Sequence, residues 1–416
     1  MPKLLIVAHA FPPSPAAGSA RAWRFYKYLQ EFGYETYVVT ASPQDAPQPR
    51  VTWVPVPPRN LGKRILRKFV FPCDEDIQWT LPAIRAAQSL IAETSMDAVL
   101  STVPYIQDHV IAYRLKKKFK LPWIADYRDP IVGNPFRRST GIPGMSDRLL
   151  NARFFTAADL LVAVTDYGRQ AWIGRSPEVE SKSAVIWNGY DPEEPIVPKP
   201  IPSRPYRLVS HFGSFYGGRN PVIPLASFLR LIRRGVLDPS RFRFRLVGAL
   251  QPEIRARHYQ LFQELTDLGC LELLPVVPRP QALEAMMESD SLFLADNNQA
   301  AIGHTVPAKL FEYIRVGRPI LALTVKGSPV ERILAISGVR YVTLSPDMDE
   351  SGIDARMVRF LNLPTDLADL SHQFQTEFNG RTQAGTLAGL LDKLLGVPSI
   401  ADPVFEQELV KPTEAV

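Results

Sequence analysis

The sequence has few cysteines and no long apolar run. Its 416 residues include two cysteines, Cys73 and Cys270, which lie far apart and outside any metal-ligand spacing. Such sparse usage excludes a disulfide framework and is typical of a reducing compartment. No apolar stretch approaches the roughly 20 residues that a membrane-spanning helix needs. Segment 3–8 is too short for a signal peptide and lacks a cleavage site. We therefore expect a cytoplasmic protein.

The chain is long enough for two domains. At 416 residues it exceeds what one hydrophobic core usually supports, and its 46% hydrophobic and 22% charged residues are ordinary for a globular protein. Short apolar strands alternate with helical patterns in both halves, which predicts two parallel, doubly wound α/β sheets separated by a proline-rich linker at 191–205. The predicted strands are 3–8, 35–40, 98–101, 122–125, 160–164 and 184–187, then 207–212, 243–248, 271–277, 291–295, 319–323 and 339–344.

Positive charge is concentrated in the first half. The net charge is +6, and segments 59–71 (RNLGKRILRKFVF) and 113–120 (YRLKKKFK) contain basic residues and no acidic ones. Each segment can be a solvated helix face or can lie on anionic lipid, and in 59–71 apolar and basic residues interleave, which suits a helix on such a surface. Stacking aromatics and groove-reading motifs do not accompany the charge, so we expect no nucleic-acid partner.

The segment VPAKLFEYIRVGRPILAL, 306–323, predicts a ligand-binding helix that breaks at a glycine. Pro307 suits the first helical turn and Thr305 can cap it, which leaves backbone N–H groups for an anion such as a diphosphate. Lys309 and Glu312 share one helical face. Glu312 can accept hydrogen bonds from two sugar hydroxyls, and Lys309 adds positive charge. The alternative is a surface ion pair.

A second glycine-containing loop, GSFYGGRNP, follows a predicted strand and opens a helix. Gly213 begins this loop and Arg219 lies near its end. Backbone amides and a guanidinium together suit a phosphate.

Three further features follow strands of the first half. Gly18 and Ser19 precede a helix, where a glycine lets the backbone approach a phosphate or sugar, although GxGxxG is absent and a plain tight turn is the alternative. Asp126 and Asp129 flank an arginine in ADYRDP, which can equally be a structural Asp–Arg pair. His109 lies on a predicted helix and can be structural or catalytic.

Together these segments resemble the family-4 glycosyltransferases, a retaining group with the α/β GT-B fold, in which two Rossmann-like doubly wound domains face a cleft. The resemblance runs from LLIVAHAFPPSPAAGSARAWRF through PWIADYRDP, VIWNGYDPEE and FGSFYGGRNP to VPAKLFEYIRVGRPILALTVKGSP. It implies an acceptor-side domain at 1–195 with a terminal helix at 381–395 packing back on it, a nucleotide-sugar donor domain at 206–370 and a loose tail at 396–416.

The resemblance also implies roles for these residues. Glu312 contacts the donor ribose, Gly18 and Ser19 approach the donor phosphate or sugar, and Arg219 neutralises the diphosphate. The resemblance also places His109 where many members have a histidine near the transferred sugar. From the residues themselves we assign Gly213, Lys309 and the Pro307 helix N-terminus to the same donor site and expect His109 and Asp129 to line the acceptor side, with His109, Asp129 and Glu312 as the catalytic set.

Two departures from the family pattern concern the donor site. Many members have a glutamate eight positions before the one that matches Glu312, and here that donor-site position is His304. They also supply an arginine and a lysine from the loop that here offers only Arg219.

The sequence is interpreted as a glycosyltransferase that moves a sugar from a nucleoside diphosphate sugar to an acceptor hydroxyl, with retention. No DxD-type acidic pair occurs in a strand context, so we expect no metal or other cofactor, and cationic groups must stabilise the departing diphosphate. The expected acceptor is a glycan or lipid-linked glycan of surface polysaccharide synthesis, and segments 59–71 and 113–120 fit a peripheral position on the inner membrane face. The alternatives are a nucleotide-sugar 2-epimerase, which would need more acid/base carboxylates, and an inactive GT-B binding subunit, which His304 makes tenable.

Overall fold

The structure is a computed structural model, which describes residues 1–14, 18–44, 48–58, 76–134, 137, 140–197, 200–296 and 306–398. The chain forms two compact units. One comprises Met1–Pro192 together with the chain from Phe378 onward, and the other comprises Glu193–Glu377. The second unit thus begins inside the proline-rich linker, because Glu194 forms an ion pair with Arg279 of that unit.

The first unit contains a seven-stranded parallel sheet in the order β3-β2-β1-β4-β5-β6-β7. The order reverses at β1, so the carboxyl ends of β1 and β4 form the edge where ligands bind in such sheets. The short β3 was not predicted. The strands are β1 (Lys3–Val7), β2 (Glu35–Thr40), β3 (Val51–Trp53), β4 (Ala98–Val103), β5 (Trp123–Tyr127), β6 (Leu160–Ala163) and β7 (Ser183–Val185).

Helices cover both faces of this sheet, and two buried clusters form its core, one around Trp79, Trp123 and Phe154 and one around Phe25 and Tyr28. The last helix packs against the first one and shares the second core cluster. The helices of this unit are α1 (Ser19–Tyr28), α2 (Thr80–Thr94), α3 (Ile106–Phe119), α4 (Gly141–Ala157), α5 (Asp166–Ile173) and the terminal α14 (Gly380–Leu395).

The second unit contains a six-stranded parallel sheet in the order β10-β9-β8-β11-β12-β13. Its order reverses at β8, which places the corresponding ligand-binding edge at the carboxyl ends of β8 and β11. The strands are β8 (Arg207–Phe212), β9 (Phe242–Val247), β10 (Leu271–Leu274), β11 (Ser291–Ala295), β12 (Ile320–Leu323) and β13 (Tyr341–Leu344).

Eight helices are described in the second unit, and its core is built around Phe228, Phe244 and Phe293. Among the described residues of the whole chain, no helix is both long and apolar enough to cross a membrane. The helices of the second unit are α6 (Val222–Arg233), α7 (Pro252–Arg257), α8 (Tyr259–Asp267), α9 (Arg279–Met287), α10 (Ala308–Val316), α11 (Pro329–Ser337), α12 (Glu350–Leu361) and α13 (His372–Glu377).

Candidate functional site

Two glycines bring backbone and a lysine together at the carboxyl ends of β8 and β9. Gly213 has φ +142°, and a Cβ on it would lie 2.1 Å from the Lys309 Nζ. Gly248 has φ +146°, and a Cβ there would lie 2.2 Å from the Gly213 carbonyl oxygen. Any side chain at either position would therefore displace its neighbour. Because these two glycines have no side chains, the Lys309 ammonium can reach the edge of the second sheet where the strand order reverses.

Lys309 lies in the first turn of α10, the predicted ligand-binding helix. This helix begins at Ala308, one residue later than predicted, because Pro307 has an extended ψ of 127° and occupies the cap position. Neither a side-chain cap nor an acidic residue is found at this end of the helix, so its first N–H groups and the helix dipole favour an anion. His304 and Thr305 lie outside the described residues.

Several positively charged side chains lie close to one another at this edge of the sheet. Burial lowers the pKa of Lys309, and the charges of Arg219 and Arg279 lower it further, against the opposing effect of Glu312. The Arg219 guanidinium lies 5.4 Å from the Tyr216 ring centroid, and its Nε is buried without a hydrogen-bond partner. A bound anion would relieve the repulsion between these cations and give the Nε an acceptor.

The sequence did not single out His211, which lies inside β8 and is 2% exposed. Its Nδ1 is 2.8 Å from the Phe293 carbonyl oxygen. A carbonyl can only accept, so Nδ1 carries the proton and Nε2 is left as a buried acceptor with no partner. Burial is the main cause that lowers the His211 pKa to about 3. The ring is therefore neutral, and its Nε2 faces the Gly213 turn, 3.5 Å from the position of a Cβ there.

Glu312 is 8% exposed and accepts a hydrogen bond from Arg279 Nη1 at 2.7 Å. Arg279, at the start of α9, also donates from Nε to Glu194 Oε1 at 3.1 Å. The guanidinium thus holds the Glu312 carboxylate in place while leaving its other oxygen for a ligand. Sequence reasoning missed Arg279, because 33 residues separate it from Glu312 and no local pattern joins them.

In the first unit, Gly18 caps α1 and Ser19 begins it. The Ser19 hydroxyl donates to the Ser14 carbonyl oxygen at 2.8 Å, which closes the loop after β1. A Cβ on Gly18 would lie 3.7 Å from the Arg128 guanidinium carbon, an ordinary contact. A side chain at position 18 would therefore fit without displacing a neighbour. The contact also shows that the Arg128 guanidinium lies close to the N-terminus of α1.

The two aspartates of ADYRDP have different environments. Asp126 is fully buried, accepts two hydrogen bonds from Arg21 at 2.7 and 2.9 Å, and accepts a third from Thr102 at 2.7 Å. Asp126 and Arg21 thus form a structural ion pair that is buried in the first unit. Asp129 instead pairs with Arg128, and 24% of its side chain is exposed. Of the two, Asp129 is the one that a ligand can reach.

His109 lies in the core of the first unit and has no exposed surface. Its Nδ1 is 2.8 Å from the Ser101 hydroxyl, and the rings of Trp123, Tyr127 and Phe154 pack edge-on against it. Burial lowers its pKa to about 3. An enclosed neutral ring cannot touch a sugar in this conformation, so the structure argues against the predicted acceptor-side role of His109.

The second unit brings Gly213, Arg219, Lys309 and Glu312 to one edge, and Arg279 and His211 join them. In the first unit Gly18 and the Arg128–Asp129 pair lie together. No cluster of three or more His, Cys, Asp or Glu side chains that could hold a metal ion occurs within the described ranges.

Comparison with known proteins agrees with this architecture. The family model described as Glycosyltransferase Family 4 matches residues 18–194, and no curated protein matches the chain. Sucrose-phosphate synthase from Thermosynechococcus elongatus is similar in structure, with 12% identity, a TM-score of 0.66, and coverage of 95% of this chain and 100% of that one.

Two other solved structures are similar. Anabaena HepE in complex with UDP and glucose has 13% identity and a TM-score of 0.61, covering 94% of this chain and 100% of that one. WaaG, a glycosyltransferase involved in lipopolysaccharide biosynthesis, has 15% identity and a TM-score of 0.54, covering 97% and 98%. At such identities the likeness establishes the fold, which is GT-B.

Proposed function

We propose that this chain, which has the GT-B fold and whose residues 18–194 match the family-4 model, is a glycosyltransferase that moves a sugar from a nucleoside diphosphate sugar to a hydroxyl of a glycan or lipid-linked acceptor. Retention at the transferred carbon and independence from metal are part of this proposal. So is a place in surface polysaccharide or glycolipid synthesis.

The observation that carries the proposal is the group of positive charges at the carboxyl end of β8. The Lys309 ammonium lies against Gly213, and the α10 N-terminus and Arg219 add positive charge. A diphosphate fits such a set of groups, and they stabilise the charge that develops on it as the glycosidic bond breaks. Glu312, held by Arg279 at 2.7 Å, offers its second oxygen to ribose hydroxyls.

The similar structures guide the choice of donor. HepE has been solved with UDP-glucose bound, which makes UDP-sugars the first donors to test. Asp129 is proposed to contact the acceptor, because it is a partly exposed carboxylate just beyond the end of β5. His109 is left out of the reacting groups because it is enclosed.

The test is a thermal-shift panel of UDP-, GDP-, ADP- and TDP-sugars, since a ligand that binds only the folded state raises Tm by mass action. One donor class should raise the Tm of the wild type. Glu312→Gln should fold normally and bind that donor at least about tenfold more weakly, because a hydrogen bond to a charged group is lost. Glu253→Gln, an exposed change on α7, is the matched control.

The outcomes separate the alternatives. A Glu312→Gln protein that is folded and binds the donor normally would remove Glu312 from the site. Donor binding without hydrolysis or transfer would favour the inactive binding subunit. Interconversion of the donor to a 2-epimer would favour the epimerase.

A further inference from the structure

A cavity of about 170 Å³ lies in the first unit beside the carboxyl end of β5. It is open to solvent on one side and is lined by Tyr127, the loop after it, and the facing sides of α4 and α5. Tyr127, Phe155 and Trp172 form its aromatic wall, with ring centroids 5.1, 5.3 and 5.5 Å apart. None of these residues belongs to the predicted donor or acceptor site.

The cavity combines this wall with positive charge. Arg148 and Arg175, both exposed, line it, and no carboxylate is among its lining residues. A guanidinium pairs with carboxylate or phosphate oxygens through two parallel hydrogen bonds. The occupant that complements this lining is therefore an anion.

Polar groups also reach the cavity. Asn151 and Ser176 supply donors and acceptors. An alkyl chain would leave these groups unsatisfied, whereas a hydroxylated ring would bond to them. A cavity of about 150 Å³ holds one benzene molecule, so this one has room for a single six-membered ring.

We propose that this cavity binds one anionic sugar residue, a pyranose bearing a carboxylate or a phosphate. The inference rests on the proposed function, in which the acceptor is a glycan, and makes the cavity a subsite for an acidic residue of that glycan. Arg175 contacts the anion, and the aromatic wall packs against the C–H groups of the ring.

Saturation-transfer NMR on the full chain tests the proposal with four probes: glucuronate, glucose 6-phosphate, glucose and inorganic phosphate. At least one of the two charged sugars should bind. The one that binds more tightly shows whether the cavity prefers a carboxylate or a phosphate. Glucose should bind about tenfold more weakly because it lacks the charged hydrogen bond. Arg175→Gln should reduce the affinity for the charged sugar to that for glucose.

Three further variants test the location. Ala152→Trp, on the exposed side of α4, should fill the cavity and abolish sugar binding. Asn151→Ala, which removes a polar group of the lining, should fold and weaken binding of both charged sugars several-fold. Arg153→Gln, an exposed change of the same charge on α4 outside the cavity lining, should bind as the wild type does.

Equal binding of glucose and the charged sugars would overturn the proposal. So would unchanged binding in a folded Ala152→Trp protein, or inorganic phosphate binding as tightly as the charged sugars. Failure here is distinguishable from failure of the proposed function, because donor-induced Tm shifts are measured separately and Ala152→Trp should leave them unchanged.

Discussion

At the scale of single residues, Gly213 determines how closely Lys309 approaches the end of β8. Its φ of +142° is a conformation that side chains rarely adopt, and a Cβ would overlap the Lys309 Nζ at 2.1 Å. The ammonium is the flexible partner in this contact and would move. Gly213 therefore fixes both the backbone turn and the position of the cation.

Gly213→Ala should consequently cost about 1–3 kcal/mol of stability through backbone strain and should weaken donor binding at least about tenfold by displacing Lys309. Isothermal calorimetry and urea unfolding measure the two effects. Gly235→Ala is the control, because Gly235 also has a positive φ of +69° but nothing lies within 4 Å of its Cβ position. Undiminished donor affinity in Gly213→Ala would show that Lys309 does not contact the donor.

His109 should affect how the stability of the first unit depends on pH. Burial lowers its folded pKa to about 3 from 6.5, so below pH 6.5 the unfolded chain binds a proton that the folded unit does not. Stability therefore falls as pH falls from 6.5 towards 3, by up to about 1.4 kcal/mol per pH unit for this one group.

His109→Phe should remove that contribution and flatten the slope of unfolding free energy against pH between about pH 6 and 4. Tryptophan fluorescence measures it selectively, because all six tryptophans lie in residues 1–192. An identical slope in the variant would mean that His109 has the same pKa in the folded and unfolded states.

At the scale of elements, a buried hydrogen bond joins α14 to the rest of the first unit. Tyr34 follows the end of α1, is 2% exposed, and its hydroxyl donates to Asp392 Oδ1 at 2.5 Å. Asp392 is 6% exposed. Removing the hydroxyl leaves a buried carboxylate without this donor, which costs more than a surface contact would.

Tyr34→Phe should lower the unfolding free energy by about 1–3 kcal/mol, and Asp392→Ala should make the loss of the hydroxyl nearly neutral. A double-mutant cycle followed by tryptophan fluorescence gives the coupling, which we expect to exceed about 1 kcal/mol. Additive single changes would show that α14 is held by its apolar contacts alone.

The elements themselves were largely predictable from the sequence. Strands β2, β8 and β11 have the predicted bounds, because each contains a short group of apolar or aromatic residues and is followed by polar or turn residues. The three-residue β3 was missed because it is too short to show a period. The site was less predictable, since the Arg279–Glu312 contact and the enclosure of His109 arise from tertiary packing that no local pattern encodes.

At the scale of the whole molecule, the positive charge of the first half has two sources. Segment 113–120 forms the last two turns of α3 and the residue after it. Three of its lysines lie in the last helical turn, where their positive charges interact favourably with the negative end of the helix dipole. Lys116 pairs with Asp159, and Lys118 donates to Gln88 at 2.8 Å. These contacts account for the basic residues of segment 113–120 without a membrane.

Segment 59–71 lies outside the described residues, so its predicted role rests on its sequence.

If the protein docks on an anionic membrane, segment 59–71 should therefore dominate binding. Each basic residue near such a surface contributes about 1 kcal/mol, reduced by salt. Neutralising Lys63, Arg64, Arg67 and Lys68 should release the protein from anionic vesicles in co-sedimentation at low salt. Neutralising Arg114, Lys117 and Lys120, which are exposed on α3 and at its end, should release far less. Wild-type protein that stays in the supernatant would instead favour a soluble acceptor, and equal release by both variants would mean that α3 also contacts lipid.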